Sequence, residues 1–204
     1  INKLKLKNKK SLYNNLTLNI EDNYFLITFH PVTLEKQTAE IYINNLLFAL
    51  GEFPKYKLIF TMPNADTDGR IIASRIQEYL SNEPSKGALF SSLGQVNYLS
   101  ALKYASLVIG NSSSGLIEAP SFKIPSINIG NRQKRRIRAK SVIDCKSSKA
   151  DIFKSIQRGL SPKFKKNLKS VINPYGEGGA SEKICSVIKS TNLKGIIFKE
   201  FHQI

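Results

Sequence analysis

Leu107-Val108-Ile109-Gly110-Asn111-Ser112-Ser113-Ser114-Gly115-Leu116 is the stretch on which the reading of this chain turns. It opens as an unbroken apolar run, the pattern of a strand buried on both faces. It then passes directly into small polar residues before apolar residues resume. A buried strand, a tight small-residue loop and a helix beginning near Leu116 are predicted. Such a loop can turn several backbone N–H groups outward, and a helix adds partial positive charge at its N-terminus. The serine hydroxyls add further donors. A diphosphate needs this arrangement: many donors, little bulk and no metal. Helix capping is the other reading of Ser and Asn here. A cap requires one such residue, so a run of serines with glycine favours anion binding. No Gly-Lys-Ser/Thr follows, so this is not a Walker loop. Glu118 lies one helical turn beyond Ser114; it either reaches ribose hydroxyls or complements the helix dipole, and spacing alone does not separate the two.

Outward from this stretch, short apolar runs alternate with helical patterns. Strands are predicted at Tyr24–Phe29, Lys57–Thr61, Ala88–Phe90, Pro125–Ile129 and Val142–Ile143. Helices are predicted over Glu35–Leu50 (with Ile41, Leu46, Leu47 and Leu50 as the apolar positions), Ile71–Leu80, Val96–Tyr104, Asp151–Leu160 and Ser181–Ser190. The alternation predicts an α/β fold, a Rossmann-like parallel sheet flanked by helices. In such sheets ligands bind outside the carboxyl ends of the strands, which selects the loops after Phe29, Thr61, Ile109 and Ile129. His30 stands at the first of these, before Pro31, which forces an extended turn. It can pair with phosphate or transfer protons, although a lone His in this place is more often structural. Met62 to Gly69 reads by itself as turn chemistry. Arg132 follows Ile129-Gly130, where a guanidinium suits a phosphate or a carbonyl.

The chain has 204 residues, 41% hydrophobic, which is enough for one domain with a sizeable core. No stretch approaches the length of apolar residues that a membrane span needs, and the opening INKLKLKNKK has no apolar core of a signal peptide. It begins without Met, in what reads as the lead-in to a strand, and is expected to be a piece of a longer protein. Cys145 and Cys185 are too few for a disulfide framework and fit neither a zinc site nor a redox pair, so two reduced thiols in a cytoplasmic protein are expected, with no metal and no cofactor. The net charge of +16 suggests an anionic partner. Lys3, Lys5, Lys7, Lys9 and Lys10, and later Lys163, Lys165, Lys166 and Lys169, are interleaved with neutral residues like solvated faces. Arg132, Lys134, Arg135, Arg136, Arg138 and Lys140 crowd one loop.

Several of these loops, in order, carry a resemblance. They are Thr28-Phe29-His30-Pro31-Val32-Thr33-Leu34-Glu35, Pro63-Asn64-Ala65-Asp66-Thr67-Asp68-Gly69, Gly110 to Gly115 with Glu118-Ala119-Pro120, and Asn128-Ile129-Gly130-Asn131-Arg132-Gln133. Asn173-Pro174-Tyr175-Gly176, with Gly178 and Ala180, fits the segment before the last helix. Each motif is weak alone, but the ordered set resembles the hydrolysing UDP-N-acetylglucosamine 2-epimerases, in the branch feeding sialic- and legionaminic-acid synthesis. The resemblance implies the second domain of a GT-B-type two-domain enzyme, with residues 1–23 as a lead-in, 24–190 as a UDP-binding domain and 191–204 as a tail. It implies that Ser112, Ser113, Ser114 and Gly115 bind the diphosphate and Glu118 the ribose. Backbone around Leu93 would read the uracil, His30 and Arg132 would contact phosphate, with His30 the catalytic candidate, and Asn64 would line the cleft. The acid and base carboxylates largely belong to the other domain, so this piece is expected to bind UDP weakly and not to turn over alone. The sugar is N-acetylglucosamine by default or a 2,4-diacetamido-trideoxy sugar, and a homodimer is implied. At Arg135 the family often has Gly, so the basic loop departs from the pattern.

Two other readings stand beside this one. A GT-B glycosyltransferase uses the same UDP-sugar half. A basic nucleic-acid-binding domain rests on charge alone, without a recognition motif.

Overall fold

The structure is a computed structural model that describes residues 1, 4–16, 18–19, 22–32, 35, 38–64, 67–195 and 197. Lys3, Thr33, Leu34, Ala65, Asp66 and residues 198–204 of the tail lie outside the described residues.

Six strands, β1 (Asn23–Thr28), β2 (Tyr56–Thr61), β3 (Gly87–Phe90), β4 (Leu107–Gly110), β5 (Ser126–Ile129) and β6 (Val142–Cys145), form one sheet. The order is β3-β2-β1-β4-β5-β6, and every neighbouring pair is parallel. β1 and β4 lie side by side, but their connections leave in opposite directions across the sheet. This reversal opens a crevice at their carboxyl ends, the place where doubly wound sheets bind ligands.

The alternation of side chains along β1 shows why both faces must be covered. Phe25, Ile27 and Phe29 face one helical layer with Leu58, Phe60, Leu107, Ile109, Ile127 and Ile143. That layer comprises α2 (Ala39–Gly51), α3 (Thr67–Asn82) and α6 (Lys149–Leu160). Tyr24 and Leu26 face the other layer with Ile59 and Val108, packed by α1 (Lys9–Asn15), α4 (Gly94–Tyr104) and the α5 region that begins at Ser114. After α6 come α7 (Pro162–Asn167) and α8 (Ala180–Ser190). Among the described residues no helix is long and apolar enough to cross a membrane.

Three expectations are corrected. The segment before β1 does not lead in as a strand: it forms α1, capped by Asn8, whose side chain accepts from the Ser11 amide. Leu12, Tyr13 and Leu16 are buried there, with the Tyr13 ring edge-on to Tyr24 at 5.8 Å. The buried Leu12 and Leu16 stand at i and i+4, the spacing of a helix face. In α2 the buried stripe is Ile43, Leu46, Leu47 and Leu50, whereas Ile41 is 59% exposed. An i, i+3, i+4, i+7 set starting at 43 fits one face, and 41 falls off it. Third, the helix after the serine loop is a single turn, α5 (Ser114–Ile117), followed by a 3-10 turn over Ala119–Phe122. Pro120 lacks the N–H that would extend the α-helical ladder.

Candidate functional site

β1 and β2 end in register on Thr28 and Thr61, and β4 ends on Gly110, bonded alongside Thr28. Gly110 has φ of 138°, and a Cβ there would stand 2.0 Å from the Thr28 carbonyl oxygen. Only glycine fits this close approach, and it brings the serine loop directly over the end of β1.

Beyond these strand ends opens a pocket of about 480 Å³, lined by Thr28, Thr61, Ser91 to Gln95, Tyr98, Ser112 to Ser114, Ile117 and Glu118 among others. Of the sequence-predicted residues, Leu93, Ser112, Ser113, Ser114 and Glu118 meet here. Among the described residues the backbone amides of Ser112 and Ser113 donate to no protein acceptor. The Ser114 amide reaches the Ser112 hydroxyl only at 3.4 Å. These groups can therefore receive an anion. The one-turn α5 has little macrodipole to add, so the donors are the loop's own amides and hydroxyls.

Gly115 takes a different place. It is buried, its amide donates to the Ser112 carbonyl at 3.3 Å, and a Cβ at 115 would meet Ser126 Oγ at 2.5 Å. It packs the loop against β5 beneath the pocket rather than lining it.

His30, Asn64 and Arg132 also lie outside that lining and form an adjoining cluster. The His30 Nδ1 accepts the Asn64 amide at 3.1 Å. With the Nδ1 lone pair turned to Asn64, Nε2 is the ring nitrogen left to carry a hydrogen. His30 is held from the other side by Asn111, whose Oδ1 accepts the His30 amide and whose Nδ2 donates to the His30 carbonyl, both at 2.7 Å. The Asn111 carbonyl in turn accepts from Gln133 Nε2 at 2.7 Å and Arg132 Nη1 at 3.3 Å. One asparagine thus ties together the ends of β1, β4 and β5.

Within the basic loop Arg138 is structural: its Nε pairs with Asp144 at 2.7 Å and its Nη2 donates to the Gln133 carbonyl at 3.2 Å. Arg135 has φ of 68°, the left-handed region that favours glycine. This is why a Gly suits the position and an Arg there is the departure.

Sequence reasoning missed the polar floor of the pocket. Thr28 and Thr61 share a hydrogen bond of 2.6 Å between their hydroxyls, and the Tyr98 hydroxyl donates to Ser114 Oγ at 2.8 Å. The available signal was that two predicted strands both end in Thr, at positions that a parallel sheet sets side by side. Tyr98 gave none, since it stands beside the apolar stripe of α4.

A family profile described as UDP-N-acetylglucosamine 2-epimerase matches residues 1–189. The chain is 40% identical over 202 residues to the "GDP/UDP-N,N'-diacetylbacillosamine 2-epimerase (hydrolyzing)" of Campylobacter jejuni, covering 98% of this chain and 52% of that protein. It is 38% identical over 183 residues to the Escherichia coli "Polysialic acid biosynthesis protein P7", covering 89% and 46% respectively. The chain therefore spans about half the length of these relatives. Among solved structures, the UDP-GlcNAc 2-epimerase of Methanocaldococcus jannaschii in complex with UDP-GlcNAc and UDP superposes with a TM-score of 0.68 at 20% identity, over 92% of this chain and 49% of that one, which speaks to the fold. With the matching profile spanning both the six-stranded sheet and the loops around its crevice, the chain belongs to the UDP-N-acetylglucosamine 2-epimerase family.

Proposed function

We propose that this chain is the UDP-sugar-binding half of a hydrolysing UDP-N-acetylglucosamine 2-epimerase. The observation that carries the reading is the switch-point pocket, where the Ser112 and Ser113 amides stand without acceptors among the described residues, beside the Ser113 and Ser114 hydroxyls and Glu118. In this reaction the proton at sugar C2 is removed and the C1–O bond to the diphosphate breaks. The pair of electrons leaves with UDP, and water then adds across the resulting glycal to give the free 2-epimer. Charge builds on the diphosphate as it leaves, and preorganised donors stabilise that charge. Hydrogen bonds to charged groups contribute about 1.5–3 kcal/mol each, so the serine loop lowers the elimination barrier from the leaving-group side. Glu118 accepts from ribose hydroxyls, and the backbone around Leu93 meets the base. His30 and Arg132 complete the phosphate end, His30 as an Nε2–H donor, with Asn64 fixing its ring. Gly115 serves the loop's packing.

The C2 base and acid belong to the other half of the enzyme in this reading. That half is also the partner for α8, whose Ile184, Val187 and Ile188 are 57%, 63% and 59% exposed on one side of the helix. A homodimer and a cytoplasmic setting, in accord with the two free thiols, complete the proposal. The Campylobacter relative, a "GDP/UDP-N,N'-diacetylbacillosamine 2-epimerase (hydrolyzing)", favours a second reading of the sugar, a 2,4-diacetamido-trideoxy hexose carried on GDP or UDP.

The test is calorimetric titration of UDP into the folded chain. Saturable binding is expected, lost when Ser113→Ala and Glu118→Ala are combined. A folded sample that gives no heat with UDP at about millimolar concentration overturns the proposal. In the complete enzyme, release of UDP without any acceptor distinguishes the epimerase from a glycosyltransferase.

A further inference from the structure

Four hydroxyls line the floor of the pocket, Thr61, Thr28, Tyr98 and Ser114, in two hydrogen-bonded pairs. They come from four different elements. Thr61 and Thr28 end β2 and β1 in register and lie 2.6 Å apart at their oxygens. Tyr98, on α4, donates to Ser114 Oγ at 2.8 Å. Thr28, Thr61 and Ser114 are buried, each no more than 9% exposed, so the protein and not solvent decides where their hydrogens point.

Each hydroxyl has one hydrogen to give. With Tyr98 donating to Ser114, the single phenolic hydrogen is committed to the Ser114 oxygen. The Ser114 oxygen then receives a hydrogen bond from beneath, and its own hydrogen is left to face the pocket. A hydroxyl that accepts a hydrogen bond is polarised into a better donor. A phenol is also a better donor than an aliphatic alcohol, and burial raises the Tyr98 pKa above its ordinary value, which keeps the hydrogen in place.

We propose that Tyr98 is a positioning residue: its hydrogen bond to Ser114 acts as a relay that turns the Ser114 hydroxyl into a donor aimed at the nucleotide's diphosphate. The inference rests on the UDP-site reading above. Tyr98 need not touch the ligand to act in this way, and its effect falls on the phosphates rather than the base.

The experiment compares UDP with uridine, which lacks the phosphates, on the full 204-residue chain. Ligand-observed NMR gives the affinities of wild type, Tyr98→Phe, Ser114→Ala and the double variant. Tyr98→Phe removes one oxygen and keeps the ring, and retained thermal unfolding of each variant confirms the fold. Losing one relayed hydrogen bond is expected to weaken UDP about fivefold, leave uridine unchanged and have no further effect once Ser114 is alanine. Unchanged UDP affinity in Tyr98→Phe overturns the relay. Equal weakening of UDP and uridine does so too, since it would make Tyr98 a wall of the pocket. An undiminished effect in the Ser114→Ala background also overturns it. If wild type binds no UDP, the site reading fails along with the relay; if wild type binds and only the Tyr98 comparison fails, the site reading survives.

Discussion

Asn111 is 1% exposed, and both ends of its carboxamide are committed to one neighbour, the His30 backbone. The sequence marked it only as one small polar residue among several, because nothing in a single residue type announces a bidentate backbone clasp. Its chemistry makes a sharp prediction. In Asn111→Asp one oxygen still accepts the His30 amide, but the other replaces an NH₂ and faces the His30 carbonyl oxygen without a hydrogen between them. A buried acceptor left opposite an acceptor loses its bond and keeps its desolvation cost. The variant is expected to lose about 2–3 kcal/mol of stability, read as a lower urea midpoint at neutral pH. A midpoint equal to wild type would show that the clasp does not hold the end of β1. The backbone carbonyl of Asn111 is untouched by the substitution, so Gln133 and Arg132 keep their acceptor.

At the scale of elements, α2 separates what periodicity reveals from what it leaves open. Its apolar residues are dense enough to admit two stripes, one including Ile41 and one including Ile43. The pattern alone does not choose between them because the choice depends on where the sheet lies. Packing decides for Ile43, fully buried among Leu46, Leu50 and Phe25 in the same core layer, and leaves Ile41 in solvent. Ile43→Ala is accordingly expected to cost about 2–5 kcal/mol through lost burial and the cavity left behind. Ile41→Ala should stay within about 0.5 kcal/mol of wild type. Equal costs in chemical denaturation would mean that the helix is rotated from this orientation. The strands were more legible than the helices, since runs such as Leu107-Val108-Ile109 are buried on both faces and admit no such ambiguity. The serine loop was legible as a small-residue turn at the carboxyl end of a buried strand, but the length of the helix after it was not. Pro120 was visible, yet its position in a second turn rather than at a first helical residue is set by how Ala119 and Phe122 pack beside α4.

For the whole molecule, the order of the six strands fixes where the pocket lies, and the second helical layer fixes how the domain responds to pH. That layer buries tyrosines. Tyr24 is fully buried with its hydroxyl on the Ala101 carbonyl at 2.6 Å, and burial drives its pKa well above the ordinary tyrosine value. Burial raises Tyr13 and Tyr98 in the same direction. In the unfolded chain these phenols ionise at about pH 10, whereas in the folded protein they keep their protons to higher pH. Above that value the unfolded state therefore binds fewer protons than the native one, and stability falls as pH rises. Their contribution is fully present below about pH 10 and is lost as pH climbs through the raised folded values. The expected outcome is a urea midpoint that drops once the medium passes about pH 10, with part of the absorbance of the eight tyrosines changing only as the circular dichroism collapses. Ionisation of all eight near their ordinary value, with the helical signal intact, would contradict the packing of Tyr13, Tyr24 and Tyr98 between the sheet and its second layer. Because Tyr98 lies on the pocket floor, bound UDP should delay the alkaline transition, as any ligand that binds only the native state adds to stability by mass action.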